Sequence, residues 1–238
     1  MVSAGSHIVV IGGTRGLGYE VARAVVARGA RVTITGRDAA TARSRAQELG
    51  PLATGAACEL ADRDSVRALF AGIDVVDHLV LAALDRDHNT ITDFRPEDCA
   101  RTLLTKTVGY ATAVHEALPK FAADGSVVMF SGLSMWRPVP GSTTISMANA
   151  GIIGLVNSLA VEIPPVRVNA VTPGIVTGTA AVDDADDVRA DWYEEMRQRT
   201  PAKRLPTADD ISAAVMFLLE CPGVNAANIV VDAGMHLV

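Results

Sequence analysis

Apolar residues recur along the chain in two rhythms. Short runs at Ile8–Ile11, Arg31–Thr35, Thr54–Cys58, His78–Ala83, Ser126–Ser131, Arg167–Val171 and Asn228–Val231 read as buried strands. Between them the apolar positions take helical spacing. Leu17, Val21, Ala24 and Val25 lead to Gly29, and Thr41–Leu49 leads to Gly50-Pro51. Ser65–Phe70, Glu97–Leu118, Thr144–Glu162 and Asp209–Leu219 follow. Thr207 with Asp210 three residues on has the spacing of a capping box, which satisfies free N–H groups at a helix start. Strand and helix alternate, which predicts an α/β fold: one parallel sheet with helices on both faces. The segment 178–206 departs from the rhythm. Asp183, Asp184, Asp186 and Asp187 precede Trp192-Tyr193, the composition of a polar substrate cover or of a solvated helix resting on the core.

Composition narrows the function classes. The 238 residues are 49% hydrophobic and 20% charged, a globular balance that excludes a disordered chain. Twenty-one Lys and Arg against 27 Asp and Glu give a net charge of -6, which argues against a nucleic-acid binder. Cys58, Cys99 and Cys221 lack CxxC spacing and cannot all pair, so neither a disulfide framework nor a metal site is signalled. No apolar run reaches the ~18 residues that a membrane span needs. The expectation is a cytoplasmic single-domain protein, residues 1–238, acting on a small molecule without nucleic acid, membrane or metal.

The turn Gly12-Gly13-Thr14-Arg15-Gly16-Leu17-Gly18 lies between the first strand and the first helix. Glycines there admit a phosphate to the backbone, and the helix start supplies free N–H groups. Together with later motifs the chain resembles the short-chain dehydrogenase/reductases. The turn is similar to that family's TGxxxGxG, with Ile11 for Thr. Leu81-Ala82-Ala83-Leu84 stands where the family has Asn-Asn-Ala-Gly, and Glu59-Leu60 where it has Asp-Val near adenine. Val166–Gly174 resembles RVNxVxPG, and Val231-Asp232-Ala233-Gly234 the terminal VDGG. The resemblance covers nearly the whole chain. It implies a Rossmann-like doubly wound sheet of seven parallel strands. It also implies a homo-oligomer, tetramer or dimer, formed through the helices Glu97–Leu118 and Thr144–Glu162.

The resemblance implies a nicotinamide cofactor held by Gly12, Thr14, Arg15, Gly16, Leu17, Gly18, Glu59, Leu60, Ala82 and Ala83. Pro173, Gly174, Ile175 and Thr177, with Thr179 nearby, would hold the nicotinamide carboxamide. An acid after the second strand selects NAD and an arginine NADP. Gly36 fills the acid's place, Arg37 follows it, and Arg15 sits in the turn, which points to NADP(H). Asp38 is the counter-signal, and reads equally as the N-cap of the next helix.

The family's catalytic residues are absent. Its YxxxK run aligns with Ile145–Asn149, so Ile145 replaces the tyrosine and Asn149 the lysine. Gly132 occupies the serine position, flanked by Ser131 and Ser134. Lys106 stands at the family's asparagine on the long middle helix. Lys106 with Asn149 is thus a swap that resembles the ketoreductase domains of polyketide synthases. Lys106, Asn149, Ser131 and Ser134 are the candidate catalytic set. Tyr110, Tyr193, His88 and Trp136 are weaker candidates.

Three functions remain open on these residues. One is NADP(H)-dependent reduction of C=O, C=N or conjugated C=C with a non-standard proton donor, of the kind found in specialised metabolism. Another is a non-redox dehydratase, isomerase or cyclase. The last is an inert cofactor-binding subunit.

Overall fold

The computed structural model describes residues 2–179 and 187–238. Seven parallel strands form one sheet: β1 (His7–Ile11), β2 (Arg31–Gly36), β3 (Ala53–Ala57), β4 (Val76–Leu81), β5 (Phe121–Phe130), β6 (Arg167–Pro173) and β7 (Asn228–Val231). Their spatial order is β3-β2-β1-β4-β5-β6-β7. Each strand was legible as an apolar run, and the expected doubly wound α/β architecture is what forms.

Because helices cover both faces, successive residues on a strand enter different cores. Val9 and Ile11 join Leu79, Leu81, Val127 and Met129 on one face. Ile8 and Val10 join Ile34, Val80 and Val128 on the other. The second face is closed by α1 (Gly16–Ala27) and α8 (Ala208–Glu220), through Val21, Val25, Ile211, Val215 and Leu218. The first is closed by α3 (Arg63–Ala71), α5 (Gly109–Ala117) and α6 (Thr143–Glu162), through Phe70, Tyr110, Val114, Ile152 and Val156. α6 is long and apolar enough to cross a membrane by length and composition alone. It lies instead against the sheet, burying Ile145, Ala148, Asn149, Ile152 and Val156.

Helix starts follow the sequence signals. Asp38 caps α2 (Ala39–Leu49), Asp62 caps α3, and Thr207 with Asp210 forms a reciprocal capping box on α8. The middle helix departs from expectation. In place of one helix over Glu97–Leu118, α4 (Pro96–Leu103) passes through a π-helical turn, Leu104–Val108, into α5. The wide turn contains Lys106, and Gly109 follows it under Leu60. A Cβ at Gly109 would lie 2.7 Å from the Leu60 carbonyl oxygen, so only glycine lets the helix approach the loop after β3 this closely. Such π turns recur at functional sites.

Segment 178–206 carries α7 (Asp187–Arg199). Its two ends are joined, because the Thr177 N–H and hydroxyl both donate to the Pro206 carbonyl, at 2.9 and 3.2 Å. Asp183, Asp184 and Asp186 lie outside the described residues.

Toward the amino end of the central strand β4, His78 is 4% exposed and its ring shares a 2.9 Å hydrogen bond with the Ser126 hydroxyl. Burial pushes its pKa down to about 4. The unfolded chain therefore binds this proton between pH ~6.5 and ~4 while the folded chain does not. Stability is whole above that window and falls as pH drops through it, by up to about 3 kcal/mol. Urea unfolding at pH 7 and pH 4.5 should show this loss, and His78→Asn should show a smaller one. An equal loss in the variant would refute the assignment.

Candidate active site

The sheet order reverses between β1 and β4, and this switch point opens a crevice at the carboxyl ends of the strands. The Gly-rich turn crosses it. Gly12 has φ +84°, and a Cβ there would lie 2.5 Å from the Ala83 nitrogen. The turn thus rests directly on the backbone after β4. A Cβ on Gly18 would strike the Gly12 carbonyl oxygen at 2.2 Å. No side chain caps α1: its N-cap, Arg15, makes no such bond, unlike the caps of α2, α3 and α8. Uncapped N–H groups at a glycine cradle fit a pyrophosphate. Arg45 steadies the cradle by donating to the Thr14 carbonyl at 3.1 Å.

The end of β2 decides the adenosine side. A side chain at Gly36 would meet the Thr14 methyl at 2.8 Å, so the turn itself fills the space an acid would need. Asp38 accepts from both the N–H and the hydroxyl of Thr41, and is spent as an N-cap. Arg15 and Arg37 are exposed. Glu59 turns back to accept from the Ala61 N–H, and Leu60 is buried. Leu84, the bulky departure from the family's glycine, is 41% exposed. At the other side Pro173 and Val176 are buried, and Gly174 packs on Asp232. Thr179 donates to the Val176 carbonyl.

The candidate catalytic residues come together around the end of β5. Lys106 is 3% exposed, and its Nζ donates to the Ser131 carbonyl at 3.2 Å. Burial, helped by the positive charge of Arg86, brings its pKa down to about 7. Asn149 Nδ2 donates to the Ser134 hydroxyl at 2.8 Å, while Asn149 Oδ1 is buried with no partner among the described residues. Position 132 is tightly bounded on the Asn149 side. A Cβ on Gly132 would sit 2.6 Å from Asn149 Nδ2, so the amide occupies the volume of a side chain there. Gly132 has extended backbone geometry, so a side chain there meets no backbone strain and requires only that the Asn149 amide move.

The two flanking serines part company. Ser131 donates its hydroxyl to the Asn149 carbonyl at 2.9 Å, which commits it to the helix. Ser134 accepts from Asn149 and donates to nothing among the described residues, and it lines an open cavity of about 510 Å³. That cavity runs from Thr90, Ile91 and Thr92 to the stretch Pro138–Thr143 and Ser146, and none of its lining residues is charged. Asn89 buttresses its wall through bonds to Asp87, Arg95 and Thr144. Asn89 and Arg86 went unread in the sequence, since a polar loop carries no periodic signal.

The weaker candidates make other contacts. Tyr110 is fully buried and donates to the Ala83 carbonyl at 2.8 Å; burial raises its pKa, so it fastens the crevice and holds its proton. His88 is exposed, Trp136 packs near His236, and Tyr193 lies against Trp192.

This chain belongs to the short-chain dehydrogenase/reductase family. Residues 11–236 match the family model described as enoyl-(acyl carrier protein) reductase. The chain is 32% identical to the 3-oxoacyl-[acyl-carrier-protein] reductase of Bos taurus, over 96% of this chain and 97% of that one. It is 26% identical to the short-chain dehydrogenase/reductase malC of Malbranchea aurantiaca, over 98% and 95%. A solved short chain dehydrogenase/reductase family protein superposes over 100% of both chains with a TM-score of 0.89 at 29% identity. A small-chain dehydrogenase solved in complex with NADPH gives 0.84 at 25% identity, over 98% and 99%. The protein is accordingly an oxidoreductase of this family's type.

The steric coupling is open to test. Gly132→Ser should displace the Asn149 amide and cost about 1–3 kcal/mol, the range for overpacking and a lost buried hydrogen bond. Adding Asn149→Ala should relieve most of that cost. Additive losses in denaturant unfolding would show the two sites to be independent.

Proposed function

We propose that this protein is an NADP(H)-dependent reductase in which Lys106 replaces tyrosine as proton donor. Its substrate is an uncharged molecule bearing C=O, C=N or a conjugated C=C. The observation that carries the reading is a buried lysine with its pKa brought near neutrality. It is joined through Ser131, Asn149 and Ser134 to a cavity without charged lining. Arg37, the filled space at Gly36 and the spent Asp38 support the extra phosphate of NADP(H), as does the NADPH-bound relative. We assign Pro173, Gly174, Ile175 and Thr177 to the nicotinamide end, with Ala82 and Ala83 beneath the turn. Segment 178–206, closed at Thr177 and Pro206, is our candidate substrate cover.

When bound, the nicotinamide supplies a hydride to the substrate carbon. The oxygen or nitrogen that gains the electron pair takes a proton from Lys106 Nζ. Lys106 is then neutral and recovers its proton from solvent. The Ser131 carbonyl holds Nζ in place, and the Ser134 hydroxyl hydrogen is available to orient the same substrate atom. In a water-poor cleft the ammonium opposes the developing negative charge. Burying it costs stability, because the unfolded chain keeps this proton up to pH ~10.5 while the folded chain begins to lose it near 7.

Lys106→Met should lower turnover by about 10²-fold or more, the scale of a lost general acid. It should leave NADPH affinity unchanged and raise the melting temperature at pH 7. In the wild type, kcat/KM for reduction should fall above about pH 7, and Arg86→Gln should move that midpoint upward. NADPH consumption with ketones, imines and enones reads these effects. Conversion without cofactor oxidation would assign a non-redox lyase or isomerase, and full turnover in Lys106→Met would remove Lys106 from the reaction.

We also propose a homo-oligomer, tetramer or dimer. Val161 and Met147 of α6 are 79% and 46% exposed, and Leu104 and Val108 of the π turn are exposed beside the same helix pair. Light scattering should give a multiple of 24.9 kDa. A monomer at dilute concentration would contradict it.

A further inference from the structure

The cofactor reading leaves one charged cluster unexplained. Arg37, at the end of β2, lies 3.8 Å from Asp85 Oδ2, in the loop after β4. The same oxygen is 3.2 Å from Arg101 Nε on α4. Arg101 also pairs with Asp98 at 2.8 Å, and Asp98 with Arg95 at 3.3 Å. Three guanidiniums thus share two carboxylates, which leaves one positive charge in excess. Arg37 ends the string with its side chain 68% exposed and with Asp85 as its one ion-pair partner among the described residues. The other acids near the end of β2 are committed: Asp38 to Thr41, and Glu59 to the Ala61 N–H.

The string spans the opening between the ends of β2 and β4, the two strands that flank β1 and its Gly-rich turn. An adenosine 2′-phosphate is recognised at the end of the second strand in this kind of sheet. Asp85 therefore holds the guanidinium that the phosphate needs.

We propose that Asp85 is an internal competitor for the 2′-phosphate, a specificity-determining residue that tempers the preference for NADP(H) over NAD(H). It keeps Arg37 and Arg101 converged on one point while no phosphate is there. The incoming phosphate replaces its carboxylate as the partner of Arg37. This rests on the NADP(H) reading above, but not on Lys106 or on any reaction step.

The test uses fragments that lack the nicotinamide. Adenosine 2′,5′-bisphosphate and 5′-AMP are titrated calorimetrically into wild type, Asp85→Asn, Asp85→Ala and Arg37→Ala. Thermal melts check that each variant is folded; the Asp85 backbone carbonyl that accepts from Thr102 is retained in all of them. Both Asp85 variants should bind the bisphosphate about two- to five-fold tighter at low salt, the size of one solvent-exposed ion pair. Binding of 5′-AMP should not change, and added salt should erase the gain. Arg37→Ala should lose the preference for the bisphosphate. Weaker bisphosphate binding in the Asp85 variants, or an equal change for both fragments, would overturn the proposal and leave the NADP(H) reading standing if Arg37→Ala still loses the preference. A wild type that does not distinguish the fragments would overturn both.

Discussion

Everything at the crevice depends on how closely the Gly-rich turn approaches the backbone after β4. Gly12 has no room for a Cβ above Ala83, and Gly18 has none beside Gly12. The contact falls where the strand order reverses, so the turn, the start of α1 and the loop after β4 share one rim. Tyr110 fastens that rim from below through the Ala83 carbonyl. A larger residue at Gly12 would lift the turn from the sheet and open the phosphate cradle. Leu84, 41% exposed, is not buried in that contact.

At the candidate site the side chains around the end of β5 are interlocked. With no side chain at Gly132, the Asn149 amide takes that space and bonds Ser134. Ser134 thereby faces the cavity, while Ser131 bonds the helix and lends its carbonyl to Lys106. Lys106 reaches that carbonyl from a π turn, in which backbone spacing differs from the flanking helices. A buried ammonium with one carbonyl partner is costly, and such cost is usually retained where it serves function. An inert scaffold has no need of a lysine there; a methionine would fill the space without the penalty.

The sequence by itself determined the architecture. Each strand was an apolar run and each capped helix carried its Asp or Thr, because a sheet buried on both faces leaves no choice of polarity along its strands. The Gly-rich turn and the arginine after β2 were equally legible. Only the tertiary structure decided which serine faces the cavity, that the Asn149 amide fills the space beside Gly132, and that Asp38 is spent on a helix cap. It alone joined Arg37 to Asp85 and Arg101, three residues from separate elements. Periodicity reports which face of an element is buried, but a hydrogen-bond partner or an excluded volume is a property of two elements at once. The packing of α4, its π turn and α6 against the end of β5 sets the surroundings of Gly132 and the two serines, and the ends of β2 and β4 set those of Arg37.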